Sequence, residues 1–473
     1  MTILAIDQGT TSTRGLLIEN SGETSIVKSF EHQQFYPESG WVEHDAEELI
    51  QNIQMCIDSC DDLAAIGIDN QGESCLAWNA TTKKAITPVI VWQDNRTYLT
   101  IEKLKSENLQ DLVLEKAGLP LVPYFSATKL AWIVKNVPEA EKLLCLGKLR
   151  LGTTDAFFLD RLAGRFVTDI STASRTSLMN LKTWQWDKEL CDLFGVPMEA
   201  LPEIVSTTGD FGRIMSKGRP IPVKASIVDQ QAALYGHGCR KPGDAKITFG
   251  TGAFALVVTG DTPSQSGKRG LLSTVAWRLE GEKPVYALDG GVYSAGSAIN
   301  WAQSLGLFET YDQIYQFKNP SAIERDLAFV PALSGLGCPY WDRTAGGVWI
   351  GLSLDTQPTD LMQSILEGVV FRAAEVIAAM NEFISIKNET PIDGGLSANP
   401  YFCQFLADVL NRQVLVQSSA ELTAFGTARL TAGNSIEPKM RNSLTRRYQP
   451  ETDRCQYLEK FKDAVNRSIQ WRS

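Results

Sequence analysis

Histidine is almost missing from this chain, with 3 in 473 residues, and the 9 cysteines are scattered with no C-x-x-C pair among them. That excludes a zinc module and a dithiol redox motif, and leaves free, packed thiols as the expectation. Cys56 and Cys60 stand at helical spacing in an amphipathic stretch and read as core neighbours. No apolar run is long enough to cross a bilayer, and no basic segment leads into an apolar signal core at the start. The expectation is therefore a cytoplasmic protein without a membrane span. Basic charge is also short: 45 Lys and Arg face 55 Asp and Glu, a formal net charge of −10. Such a field disfavours nucleic acid and anionic membranes as partners. A bound polyphosphate would need local help from Mg2+, backbone N–H groups and a few cations.

What is present is an ordinary globular composition, 44% hydrophobic and 21% charged, in a length that suits two or three domains. Strands alternate with helices, as in strand Ala65 to Ile68, strand Val89 to Trp92 and a helix from about Asn95, which predicts an α/β chain. Asp45-Ala46-Glu47-Glu48 has the spacing of a capping box and opens a helix with Leu49, Ile53 and Ile57 on one face. The turn-rich stretch Gly236 to Asp244 is the best hinge, dividing the chain into lobes 1–239 and 240–473.

Each lobe opens in the same way. Ile3 to Ile6 read as a buried strand running into Asp7-Gln8-Gly9-Thr10-Thr11-Ser12-Thr13-Arg14. Gly9 permits a tight turn, Thr10 to Ser12 offer N–H and O–H donors to phosphate, and the Asp7 carboxylate suits Mg2+ directly or through water. By itself this order is equally that of a plain turn. Strand Lys246 to Phe249 then runs into Gly250-Thr251-Gly252-Ala253-Phe254, an echo that suggests a duplicated unit. A third turn, Asp393-Gly394-Gly395-Leu396-Ser397-Ala398-Asn399, leads through Pro400 into a helix from Tyr401 to about Leu410. Three such turns favour one shared ligand over three structural coincidences.

Candidate chemistry sits where apolar runs end. Asp229 closes Ile227-Val228 and starts a helix, so it reads either as an N-cap or as a general base for an alcohol attacking a γ-phosphate. Asn70-Gln71-Gly72-Glu73 and Trp92-Gln93-Asp94 end strands in the same lobe. Carboxylates, amides and tyrosines against an aromatic wall suit a polyol, because each hydroxyl both donates and accepts.

In this order the pieces resemble the FGGY family of carbohydrate kinases, and within it the glycerol kinases. The likeness runs through Gly40 to Asp45, Pro123 to Lys129, Ala173-Ser174-Arg175-Thr176, Asp229 to Leu234 and Gly335 to Asp342. Tyr124 to Asn136 and Gly347 to Glu367 fit the two family signatures, and the last forty or so residues carry no distinctive match. The resemblance implies two ribonuclease-H-like lobes of the actin, hexokinase and Hsp70 type, closing over ATP and a small-molecule polyol or sugar. It also implies Asp229 as catalytic base, with Glu73, Tyr124, Asp229 and Gln230 on the acceptor's hydroxyls and Trp92 and Phe254 as the apolar wall. Around the nucleotide it implies Thr10, Thr11, Ser12, Arg14, Thr251, Gly252, Gly296, Gly395 and Asn399, with Asn300 in place of the usual glutamine and Asp7 as Mg2+ partner. Homodimers or homotetramers are common among such relatives.

One departure bears on the acceptor: where glycerol kinases carry arginine, this chain has Gly72. The change removes a charge-assisted bond of roughly 1.5 to 3 kcal/mol and is expected to leave a hole, either weakening glycerol binding or admitting a longer polyol or ketose. Ser206 to Pro222 lacks the glycine-rich loop that binds a sugar-bisphosphate inhibitor in bacterial glycerol kinases, so that inhibition is not expected. Against the kinase stands a nucleotide-operated actin- or chaperone-like switch, or a kinase relic that only binds, since the fold alone permits both.

Overall fold

The computed structural model describes residues 2–264, 267–417, 421–433, 435 and 446–472. Two large sheets organise it. The first has the strand order Arg213–Ser216, Arg219–Val228, Leu63–Asn70, Thr2–Gln8, Ser12–Ile18, Thr24–Glu31, and the second Leu272–Trp277, Val285–Val292, Ala253–Gly260, Ala245–Phe249, Glu389–Asp393, Gln413–Val416, Arg446–Tyr448. Read from opposite ends, they share one plan. Thr2–Gln8 is antiparallel to Ser12–Ile18 and parallel to Leu63–Asn70, just as Ala245–Phe249 is antiparallel to Ala253–Gly260 and parallel to Glu389–Asp393. The echo between Asp7 to Thr11 and Gly250 to Gly252 is thus the hairpin turn of each copy. The second sheet has one additional outer strand, Leu272–Trp277.

The copies are joined by an exchange of helices. Asp229–Gly236 follows the first sheet, but its Ala232 and Leu234 pack with Leu256, Val258 and Ala287 of the second. Leu422–Ala432 follows the second sheet, and its Ala424, Phe425 and Ala428 pack on Ile3, Ala5, Leu16 and Ala65 of the first. Where the two helices cross, the backbones touch. A Cβ on Gly426 would lie 1.8 Å from Ala232 O, and one on Gly236 2.0 Å from Leu422 O, so both positions require glycine.

A smaller sheet, Glu43–His44, Val89–Ile90, Cys75–Asn79 and Leu149–Thr153, is set into the first copy with helix Ser126–Asn136 packed beside it. Helix Ala46–Asp58 buries Leu49, Ile53 and Ile57 as expected. The expected capping box does not form: Asp45 accepts from Glu47 N at 2.8 Å, and Glu48 instead accepts from Gln33 N. The strand expected to reach Trp92 ends at Ile90, and the next helix starts at Tyr98, because Asp94 turns the chain by accepting from Val42 N and Arg96 N. Among the described residues, no helix is long and apolar enough to cross a membrane.

Candidate active site

Strand ends of both sheets meet at one cleft. On the first sheet, Asp7 and Asp69 stand opposite each other in the parallel pairing, and Asp229 follows the neighbouring strand. Asp69 is fully buried, with Thr427 Oγ1 of the exchanged helix donating to its Oδ2 at 2.7 Å and its Oδ1 without a hydrogen-bond partner. Burial, and then Asp7, hold the Asp69 carboxyl well above the usual carboxylate range; burial raises Asp7 too. Carboxyls this close share a hydrogen bond; once ionised, their concentrated negative charge would suit a divalent cation.

Asp229 opens its helix with Val228 as N-cap, so the capping alternative fails by one residue. Its Oδ1 accepts from Gln230 N at 2.6 Å. Burial, reinforced by Glu73, pushes the Asp229 carboxyl up to about 7. Gln230 presents its Oε1 to Lys246 Nζ at 2.7 Å, and Lys246 also donates to Thr248 Oγ1 at 2.7 Å. The Gln230 amide is thereby oriented with its NH2 toward the other side.

Glu73 adopts φ +61°, a left-handed conformation that costs a non-glycine residue about 1–3 kcal/mol and marks sites where the surroundings impose it. Its carbonyl accepts from Ser126 Oγ at 3.0 Å, and its carboxylate is held by Arg175, whose Nε donates to Glu73 Oε1 at 2.6 Å while Nη2 pairs with Asp289 Oδ2 at 2.9 Å across the lobes. Trp92 stands edge-on to Tyr124 at 5.5 Å and to Phe254 at 6.4 Å, forming the expected aromatic wall from both lobes. Its indole N–H donates to Thr10 Oγ1 at 3.0 Å, tying that wall to the first phosphate-type turn. Lys129, buried behind it, donates to Tyr124 O at 2.6 Å, and burial lowers its ammonium to about 8.

At Gly72 the expected space does not begin at the backbone: a Cβ there would lie 2.7 Å from Val228 Cγ2, so the valine crowds the first atom that a side chain at 72 would add.

On the second lobe, a cavity of about 520 Å3 is lined by Phe249, Gly250, Thr251, Gly296, Ile299, Asn300, Tyr311, Ile314, Tyr315, Gly395, Leu396, Ala398 and Asn399. Five of the residues expected around a nucleotide converge there. Gly252 does not line it; its backbone instead packs against Val292 O. Asn399 is a wall rather than a free donor, since its amide caps helix Pro400–Leu410 through Phe402 N and donates to Ile314 O. Asn300 Oδ1 accepts from Tyr311 Oη at 3.2 Å. Thr10, Thr11 and Ser12 lie on the first lobe's turn, and Arg14 pairs with Glu421 of the second lobe at 3.1 Å. His237 at the hinge bonds Asp393 Oδ2 at 2.8 Å, holding the third glycine turn, where Gly394 takes φ +87°.

From the sequence alone, Lys246 and Arg175 receive no role of their own, and Asp289 and Asp69 are not singled out. Lys246 had a visible signal, a lysine inside the apolar strand Ala245–Phe249. Asp69 and Asp289 are likewise charges within buried strands.

The model described as the N-terminal domain of the FGGY family of carbohydrate kinases matches residues 2–236, and that of the C-terminal domain matches residues 245–434. The chain is 38% identical to glycerol kinase of Pseudothermotoga lettingae, over 99% of this chain and 98% of that protein. It is 39% identical to glycerol kinase of a Geobacter species, over 96% and 95%. Among solved structures, Plasmodium falciparum glycerol kinase with ADP superposes with a TM-score of 0.89 at 28% identity, covering 99% of this chain and 98% of that one. Xylulose kinase from Lactobacillus acidophilus shares the fold, with a TM-score of 0.85 at 22% identity over 99% and 96%.

Proposed function

Because the chain belongs to the FGGY family of carbohydrate kinases and is an ATP-dependent sugar or polyol kinase, we propose that its acceptor is glycerol or a closely related neutral polyol. The observation carrying this reading is the convergence of Glu73, Tyr124, Asp229 and Gln230 on the aromatic wall of Trp92 and Phe254, next to Asp7. The wall takes the acceptor's carbons and the polar groups take its hydroxyls. Full-length identity to proteins named glycerol kinase supports the same acceptor.

In the proposed reaction, Asp229 accepts the proton of a primary hydroxyl as its oxygen forms a bond to the γ-phosphorus. The bond from that phosphorus to the β-phosphate bridging oxygen breaks in line, and ADP leaves. Thr10 to Ser12 and the turn at Gly250 to Gly252 hold the phosphates from opposite lobes, and the cavity bounded by Gly296, Asn300, Gly395 and Asn399 takes the adenosine. Asp7 would hold Mg2+, with phosphate and water as further ligands, and the ion would neutralise charge on the phosphates.

Two measurements test the proposal. Coupled ADP release across glycerol, erythritol, dihydroxyacetone, xylitol and pentuloses should show stimulation by glycerol or a close polyol. ADP formation that no acceptor stimulates would favour the switch. The second is the pH profile. The base works when ionised, and with its carboxyl raised to about 7, kcat/KM should fall on the acid side through about pH 7, roughly tenfold per pH unit below it. A flat profile down to pH 5 would remove Asp229 from the role.

A further inference from the structure

Two buried polar atoms at the lobe junction have no partner: Arg175 Nη1, a donor, and Asp289 Oδ1, an acceptor. They belong to side chains already joined by a 2.9 Å ion pair, with Arg175 also bonded to Glu73. Buried guanidinium and carboxylate atoms rarely stay unsatisfied, and an orphaned donor and acceptor on one ion pair are matched by a group that both accepts and donates. A hydroxyl is such a group. Gly72 itself offers no side chain for this part, and Val228 Cγ2 lies 2.7 Å from where a Cβ at that position would stand.

We propose that the interlobe pair Arg175–Asp289 binds the acceptor hydroxyl farthest from the one phosphorylated, with Val228 closing position 72 to any competing side chain. This rests on the polyol reading above. It specifies a neutral acceptor with a remote hydroxyl, and it makes that hydroxyl a contact of both lobes. An acidic sugar is disfavoured, because three carboxylates, Glu73, Asp229 and Asp289, stand near enough to act on Tyr124, against one guanidinium, Arg175.

The test is steady-state kinetics with glycerol and with propane-1,2-diol, which lacks the remote hydroxyl. With glycerol, Arg175→Lys and Asp289→Asn should each raise the acceptor KM about ten- to a hundred-fold, the loss expected for a charge-assisted bond. ATP affinity by titration calorimetry should stay within a few-fold, which also reports folding. With propane-1,2-diol Asp289→Asn should raise KM far less than with glycerol, whereas Arg175→Lys, which also frees Glu73, should raise it with both acceptors. Gly72→Arg alone should not lower the glycerol KM, whereas combining it with Val228→Gly should improve on the single variant. Unchanged glycerol KM in both Arg175→Lys and Asp289→Asn overturns the proposal and assigns the gap to water. A lowered KM in Gly72→Arg alone overturns the part given to Val228. A wild type that phosphorylates no neutral polyol overturns the acceptor reading itself, and the proposal with it.

Discussion

Asp229→Asn should lower kcat by about 10^2 to 10^4 while leaving nucleotide affinity within a few-fold. The amide is close in shape to the carboxylate and still accepts from Gln230 N, so the start of helix Asp229–Gly236 keeps its geometry. What is lost is the capacity to take a proton. The variant should also melt at the same temperature as wild type or higher. Glu73 and Asp7 both raise the Asp229 carboxyl, so the ionised group is repelled by its neighbours, and removing that charge relieves the repulsion. Rate loss without stability loss separates a chemical role from a structural one. A variant that retains turnover within tenfold of wild type, or that loses nucleotide binding in parallel with rate, would take the base assignment away.

The second large effect lies away from the chemistry. Gly426→Ala places a methyl group 1.8 Å from Ala232 O, and Gly236→Ala places one 2.0 Å from Leu422 O. Both obstacles are backbone, so no rotamer change relieves them and the helices must separate. Forced overpacking of this kind costs about 1–3 kcal/mol, and more where nothing can yield. The same helices carry Asp229 at one start and Thr427, the partner of Asp69, on the other, so their separation also displaces cleft groups. Either variant should lower the melting temperature by several degrees and reduce kcat/KM tenfold or more. Wild-type melting and turnover in both variants would contradict the tight crossing.

Local signals carried much of this architecture. Alternating strands and helices and the repeated strand-and-turn openings were enough to read a duplicated α/β chain. The helix starting at Asp229 was legible for the same reason, since it follows an apolar run, whereas Tyr124 entered only through the family resemblance. What stayed hidden depends on residues far apart in the chain. Asp69 meets Thr427 across 358 positions, and Arg175 meets Glu73 across 102. No spacing rule reports such pairs. Gly72 was read as vacancy because Val228, which crowds its Cβ position, looked like one more apolar strand residue. The capping box failed on a smaller scale, with Asp45 settling for the nearer N–H of Glu47.

The exchanged helices also set how the chain can be divided. A fragment cut after the hinge would take Ala232 and Leu234 away from the sheet that covers them, and would leave Ile3, Ala5 and Leu16 without Ala424 and Phe425. Each half would then expose an apolar strip made to be covered by the other, so expressed alone the halves should aggregate, and expressed together they should reassemble. Chimaeras with related kinases face the same constraint. A transplanted half brings one of the two crossing glycines and must find the other in its host.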